Sequence, residues 1–104
     1  MIGKITEKVM LSHVEKRLRK YNIQLVHFVP GRLRLKSSLW KEDDDLIHIL
    51  VCELKEQVLV YDAQFTKGTG SLLITYDASH VGDMKELQSW FDIMDALYKQ
   101  RFYI

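Results

Sequence analysis

The chain has 104 residues, of which 47% are hydrophobic and 28% charged, a composition that favours one globular domain and excludes an intrinsically disordered protein. Its formal net charge is +1, yet residues 1–36 hold nine Lys and Arg against two Glu, whereas residues 41–62 hold two Lys against seven Asp and Glu. This uneven charge either favours oriented docking on a charged partner or is neutralised inside the fold. No apolar run approaches the roughly 20 residues of a membrane-spanning helix and the N-terminus carries charges in place of a signal-peptide core, so we expect a cytoplasmic protein.

The first predicted element is an amphipathic helix over residues 4–20 with a basic polar face. Its apolar side chains recur mostly four residues apart, and Lys and Arg surround them. This helix could lie on an anionic membrane surface at the inner face of the membrane, through residues 1–20, or contact nucleic acid. We favour packing of the apolar stripe on the domain core or on a partner, because the helix has no aromatic anchor before Tyr21. The stripe consists of Ile5, Val9, Met10, Val14 and Leu18.

Residues 22–36 predict one strand, interrupted by a bend or bulge at Pro30 and Gly31. The first part is rich in β-branched and apolar residues, and proline cannot donate to a strand ladder. After the interruption, leucines alternate with Arg32, Arg34 and Lys36, which predicts a strand with one buried face and one cationic face. The cationic face is either solvated surface or a site that receives a carboxylate or phosphate.

A helix is predicted over residues 43–57, because a serine pair and a run of acids suit a helix start. Its expected inward residues are Leu46, Ile49, Leu50 and Leu54. The acidic run lacks the glycine and the distal Glu of an EF-hand calcium loop. The single cysteine, Cys52, excludes an intramolecular disulfide and a cysteine-rich metal site, and we expect it to be a small core residue.

The second half of the chain predicts two strands and a helix. Residues 58–65 form a strand, residues 66–70 a hairpin loop, and residues 71–76 the next strand. A helix follows over residues 79–101, and residues 102–104 could add only a very short fourth strand. A wide apolar stripe predicts that this helix also touches the N-terminal helix or a second subunit. The stripe consists of Val81, Met84, Leu87, Trp90, Phe91, Ile93, Met94, Leu97 and Tyr98.

After residue 21 this order predicts an α+β, ferredoxin-like split βαβ fold, βαββα with a vestigial or absent fourth strand. Two motifs, His-Phe-Val-Pro-Gly-Arg-Leu-Arg-Leu at residues 27–35 and Thr-Gly-Ser-Leu-Leu-Ile-Thr-Tyr-Asp at residues 69–77, resemble heavy-metal-associated domains that lack the cysteine motif. We therefore divide the chain into an extra N-terminal amphipathic helix, residues 1–21, and a heavy-metal-associated-like domain, residues 22–104.

The resemblance implies a role in metal homeostasis, plausibly of iron, because such domains occur at or beside the N-terminus of metal-transporting P-type ATPases. Metal-binding relatives carry Cys-x-x-Cys between the first strand and the first helix, where two thiolates hold a soft ion. Here residues 37–41 are Ser-Ser-Leu-Trp-Lys. Copper- or zinc-chaperone chemistry therefore does not transfer to the chain, and we expect no bound cofactor.

Other chemistry has little support in the sequence. There is no nucleophile elbow, Cys-His signature or Gly-rich phosphate loop, so we expect no enzymatic activity. His13, His27, His48 and His80 are isolated from one another in sequence. A hard ion could still use His27 or His80 with a carboxylate such as Asp77, which leaves a metal-binding protein as one alternative.

The leading prediction is a non-enzymatic adaptor or regulatory domain that acts through protein contact. A metal-transporting P-type ATPase or a second copy of the chain would be the partner. Nucleic-acid binding by the basic N-terminal segment is a less favoured alternative, since no stacking aromatic residues interleave with the cations. The predicted contact residues are the cations Arg32, Arg34 and Lys36 and the apolar anchors Trp40, Trp90 and Phe91.

Overall fold

The computed structural model describes residues 14–79 and 85–102. The first helix, α1, is described over residues 14–19. The elements that follow are β1 (Gln24–Val29), β2 (Arg32–Lys36), α2 (Leu39–Glu42), α3 (Asp44–Lys55), β3 (Val60–Thr66), β4 (Ser71–Tyr76) and α4 (Lys85–Phe102).

The four strands form one sheet in the order β1-β2-β4-β3, and every neighbouring pair is antiparallel. Strands β2 and β3 therefore run in the same direction with β4 between them, and α2 and α3 connect them. This arrangement is a split βαβ unit, which α4 extends. The predicted α+β, ferredoxin-like class is confirmed.

The prediction of one interrupted strand over residues 22–36 is wrong, because this segment is a hairpin. Val29 pairs with Arg32 across a two-residue turn of Pro30 and Gly31. Gly31 has a φ of 85°, and proline followed by a residue with positive φ is what a type II turn requires. Strand β1 therefore forms the sheet edge beside β2, so the fourth strand comes before the split unit. Phe102, where a fourth strand was expected to begin, ends α4, and residues 103–104 lie outside the described part.

One face of the sheet carries the core and the other is open. On the two central strands, alternate residues are buried, as one covered face demands. The helices contribute the rest of the core, including Leu50 and Leu54 of α3 and Phe91 and Met94 of α4. The buried residues of the two central strands are Leu33, Leu35, Leu72, Ile74 and Tyr76, and β3 adds Val60 and Ala63.

Helix α3 begins one residue later than predicted, after Asp43, whose carboxylate accepts a hydrogen bond from the backbone N–H of Leu46 at 3.1 Å. Ile47 is buried in place of the predicted Ile49, which is 41% exposed. At 3.6 residues per turn, and measured around the axis of α3, Ile47 lies about 45° from the centre of the buried stripe of this helix, and Ile49 lies about 115° from it. Cys52 lies about 180° from that centre and is exposed, so the prediction of a core cysteine is wrong.

The predicted stripes of the first and last helices are confirmed where they are described. Val14 and Leu18 of α1 are buried in the same core as the sheet. Of the two contacts predicted for the last helix, the one with the first helix is present, between Arg17 and Gln88. Ile5, Val9 and Met10 lie outside the described residues, as do Val81 and Met84. The confirmed stripe of α4 consists of Leu87, Trp90, Phe91, Met94 and Tyr98, with Ile93 and Leu97 partly buried.

Candidate functional site

Arg32, Arg34 and Lys36 form a row of cations on the open face of the sheet. All three are exposed, while the leucines between them are buried. Alternate residues of a strand repeat about every 6.6 Å, and β2 is hydrogen-bonded to a neighbour on each side. The three charges therefore stand at regular intervals on a backbone that both neighbouring strands hold in place.

The strand register defines what surrounds this row. Arg34 lies between His27 of β1 and Leu73 of β4, and Lys36 lies between Gln24 and Ser71. Residues paired across strands share a face of the sheet, so these neighbours are on the open face too. Within residues 14–79 and 85–102, none of the three cations has an ion pair or a side-chain hydrogen bond.

Among the described strand residues, the acid that shares the open face with Arg32 is Asp62, two strands away. Thr75 pairs with Arg32 on one side and with Asp62 on the other. The Asp62 carboxylate lies 3.6 Å from the Lys55 ammonium group, which offsets its charge. The open face is therefore net positive along β2, and we define Arg32, Arg34 and Lys36 as the cationic row.

The three predicted apolar anchors are not on this face. Trp40, Trp90 and Phe91 are each at most 2% exposed, so they belong to the core and cannot provide contact area to a partner. The ring of Trp90 meets Tyr76 edge-on at 5.3 Å between centroids. These side chains are large and apolar, and a small domain needs them to fill its own interior.

Trp40 also makes a buried polar contact. Its indole N–H donates to the Tyr98 hydroxyl at 2.8 Å, which joins α2 to α4. Burial raises the pKa of Tyr98 to about 12, against a smaller opposing effect of the Trp40 hydrogen bond. The contact satisfies two polar groups that would otherwise be costly to bury. Trp40 is thus a structural residue that joins two of the helices packed behind the sheet, on the side opposite the cationic row.

The basic N-terminal segment is partly neutralised inside the fold. Arg17 of α1 donates to the side-chain oxygen of Gln88 at 2.8 Å and is also ion-paired with Asp92, both on α4. The Lys20 ammonium lies 4.0 Å from an oxygen of Asp95 on the same helix. These two cations are therefore engaged with the chain's own acids, whereas the cationic row is not.

The family model for heavy metal associated domain 2 matches residues 11–95. The chain belongs to this family. The predicted resemblance is confirmed, and membership indicates a metal-binding or metal-handling role. The match begins ten residues before residue 21, the last residue of the predicted N-terminal helical segment. The division of the chain after residue 21 stays a prediction. Neither the comparison with curated proteins nor the comparison with solved structures yields a match.

Within the described ranges of this heavy metal associated domain, no helix combines the length and the apolarity needed to cross a bilayer. The segment of residues 37–41, which the structure places partly in α2 and where the resemblance would place a soft ion, does not fit one. Ser37 is buried and its hydroxyl has no hydrogen-bond partner, but a neutral hydroxyl is a poor ligand for a soft ion. The indole of Trp40 points into the core, and the side chain of Lys41 lies beside Gly70.

The histidines of the domain are also dispersed. His27 is exposed on the open face beside Arg34, and His13 and His80 lie outside the described residues. Asp77 accepts a hydrogen bond from the backbone N–H of Ser79. Among the residues that the structure describes, no group of three or more His, Cys, Asp or Glu is placed to hold a metal ion. The predicted set of His27, His80 and Asp77 therefore stays a prediction.

One pair escaped the sequence reasoning. His48 and Cys52 of α3 are both exposed, and the Nε2 of His48 lies 3.8 Å from the Sγ of Cys52. The signal was present as His-x-x-x-Cys, a spacing that places two side chains on one helix face. The prediction that Cys52 is a core residue left the pair unrecognised.

Proposed function

We propose that this heavy metal associated domain is a non-catalytic adaptor or regulator in metal handling, and that its cationic row binds an acidic surface of a metal-transport protein. A metal-transporting P-type ATPase is the partner that the family resemblance favours. The observation that carries the proposal is the cationic row itself, which consists of three exposed cations on a central strand that have no acidic partner within the described residues.

The electrostatics suit an acidic protein surface. Arginine can bind a carboxylate through two parallel hydrogen bonds, and the spacing of about 6.6 Å along the strand lets each cation meet a different carboxylate. No other charged group within the described part of the chain has to be displaced first from Arg32, Arg34 or Lys36. The buried aromatics take no part, so the remaining contact area comes from the strands beside the row.

Affinity capture with the chain as bait tests the proposal. We expect wild-type protein to capture a metal-transport protein, and the double variant Arg32→Glu/Arg34→Glu to lose it. Two exposed interfacial charge pairs contribute on the order of 1–2 kcal/mol, and reversal adds repulsion, so affinity should fall by roughly tenfold to 100-fold. Raised salt should weaken the wild-type complex in the same direction.

The matched control is Lys16→Glu/Arg19→Glu, which reverses two exposed charges of α1 that have no partner within the described chain. This variant should retain the partner. Equal capture by wild type and by Arg32→Glu/Arg34→Glu would overturn the proposal. Loss of capture with the α1 variant alone would move the contact to the N-terminal segment.

A further inference from the structure

The exposed face of α3 carries a pair of metal-ligating side chains that the cationic row does not involve. His48 and Cys52 are four residues apart, so successive turns of the helix bring them together. The distance from Nε2 to Sγ is 3.8 Å. Both side chains are exposed, so an ion from solution can reach them without any rearrangement of the fold.

The separation of the two atoms fits a shared ion. Bonds of about 2.3 Å from Zn²⁺ to sulfur and about 2.1 Å to nitrogen, at a tetrahedral angle, place the two ligand atoms about 3.6 Å apart. The observed distance exceeds this by about 0.2 Å, which a small rotation of either exposed side chain removes. Thiolate and imidazole together select soft and borderline ions rather than Mg²⁺ or Ca²⁺.

The surroundings favour a cation. Asp45 and Glu53 of the same helix are exposed, and exposed acids raise the local concentration of positive ions. The carboxylate of Asp44 is paired with Lys67 at 3.2 Å. His48 also lines an open groove of about 590 Å³ between α3 and β3, whose wall includes Asp44, Lys55 and Gln64. The groove leaves room for water or an incoming ligand at the remaining coordination positions.

We propose that His48 and Cys52 of one chain chelate a soft or borderline divalent ion such as Zn²⁺, with two coordination positions left open. On binding, the thiol proton passes to solvent and the sulfur–metal bond forms, with no change in oxidation state. Because two protein ligands hold the ion and solvent can reach it, the site is suited to exchangeable rather than permanent binding. It does not depend on the cationic row.

Titration with Co²⁺, a spectroscopic substitute for Zn²⁺, tests the chelate in the whole chain. Cys52 is the single cysteine, so thiolate-to-cobalt absorption in the near ultraviolet reports on this residue alone. We expect that absorption to saturate at one ion per chain and to disappear when Zn²⁺ is added. Cys52→Ser should abolish it. His48→Gln should weaken binding by at least about tenfold, the smallest loss commonly seen even for residues that only support a ligand.

The control is His27→Gln, which removes another exposed histidine, on the open face of the sheet, and should leave the titration unchanged. Circular dichroism establishes that each variant is folded, and backbone amide NMR of wild type with Zn²⁺ provides a second reading that needs no variant. Shifts centred on residues 48–52 are expected. Absence of the cobalt absorption, an unchanged affinity in His48→Gln, one ion per two chains, or NMR shifts elsewhere would each overturn the proposal.

The two proposals fail separately. Arg32→Glu/Arg34→Glu should leave the cobalt titration unchanged, and Cys52→Ser should still capture the metal-transport protein. A chain that binds the partner but no ion would remove the chelate and leave the adaptor role. A chain that binds the ion but not the partner would remove the adaptor role and leave the chelate.

Discussion

Replacing Gly70 with alanine tests the packing of the β3–β4 turn against the loop before α2. Gly70 has a φ of 68°, a region that costs a residue with a side chain about 1–2 kcal/mol. A Cβ at this position would lie 2.8 Å from the backbone oxygen of Ser37. The Gly70 carbonyl meanwhile accepts a hydrogen bond from the Ser37 N–H at 3.0 Å, so the two backbones cannot separate without losing it.

The expected magnitude follows from these two effects. Relief of the close contact requires a backbone shift, which costs on the order of 1–2 kcal/mol in well-packed regions. With the conformational cost, the free energy of unfolding should fall by about 2–4 kcal/mol. At roughly 4–5 °C per kcal/mol for a domain of this size, the melting temperature should drop by about 8–20 °C.

The assay is urea unfolding followed by circular dichroism, with Gly68→Ala as the matched control. Gly68 lies in the same turn, has no positive φ, and has nothing within 4 Å of a Cβ. Its replacement should change the free energy of unfolding by at most about 0.5 kcal/mol. If both variants unfold at the same urea concentration, the inferred contact between Gly70 and Ser37 is wrong.

Three further predictions concern buried and capping groups. Trp40→Phe removes the donor to the Tyr98 hydroxyl and should lower the free energy of unfolding by about 2 kcal/mol in urea. Burial raises the pKa of Tyr98 to about 12, so as the pH rises the unfolded chain loses the tyrosine proton at a lower pH than the folded chain does. The free energy of unfolding of wild type should therefore fall between pH 10 and 12, and that of Tyr98→Phe should fall less. The Arg101 guanidinium holds the pKa of Asp43 below its ordinary 3.8, so this stabilisation should be present above that pH and disappear as the pH falls below it. Asp43→Ala, which also loses the helix cap, should lower the free energy of unfolding by about 1 kcal/mol at neutral pH. The free energy of unfolding of this variant should depend less on pH in the acid range than that of wild type.

The local sequence pattern was sufficient to predict an element where the spacing of its apolar and charged residues fits only one type of secondary structure. Strand β4 was predicted at its observed bounds, Ser71–Tyr76, because large apolar residues recur at every second position directly after a glycine-containing turn. The cationic side of β2 was likewise predicted from alternation alone. Helix α4 was recognised because its apolar residues recur at spacings of three and four.

The hairpin could not be separated from an interrupted strand by local pattern. Pro30 and Gly31 fit a bend as well as a two-residue turn, and the choice depends on which edge of the sheet is available. That edge is defined by the order β1-β2-β4-β3, which is a property of the whole fold. Trp40 poses a related difficulty, since an aromatic residue in a short polar segment of the sequence suits either a contact surface or a core. Its partner Tyr98 is 58 residues away.

Ile49 and Cys52 were misplaced for a different reason. Their exposure follows from helix geometry once the buried stripe of α3 is centred on Leu50 and Leu54, so the sequence contained the information. We assigned both residues inward because they are apolar. The same assumption concealed the pair of His48 and Cys52, which becomes visible when the helix positions are counted.

Amide NMR of the labelled chain, titrated with the soluble acidic region of the captured metal-transport protein, tests the central claim most directly. If the cationic row is the binding surface, chemical shifts should change for residues 32–36 and for the paired residues 71–75 of β4, and these changes should diminish as salt is raised. Shift changes confined to α1 or α3, with residues 32–36 unaffected at saturation, would contradict it.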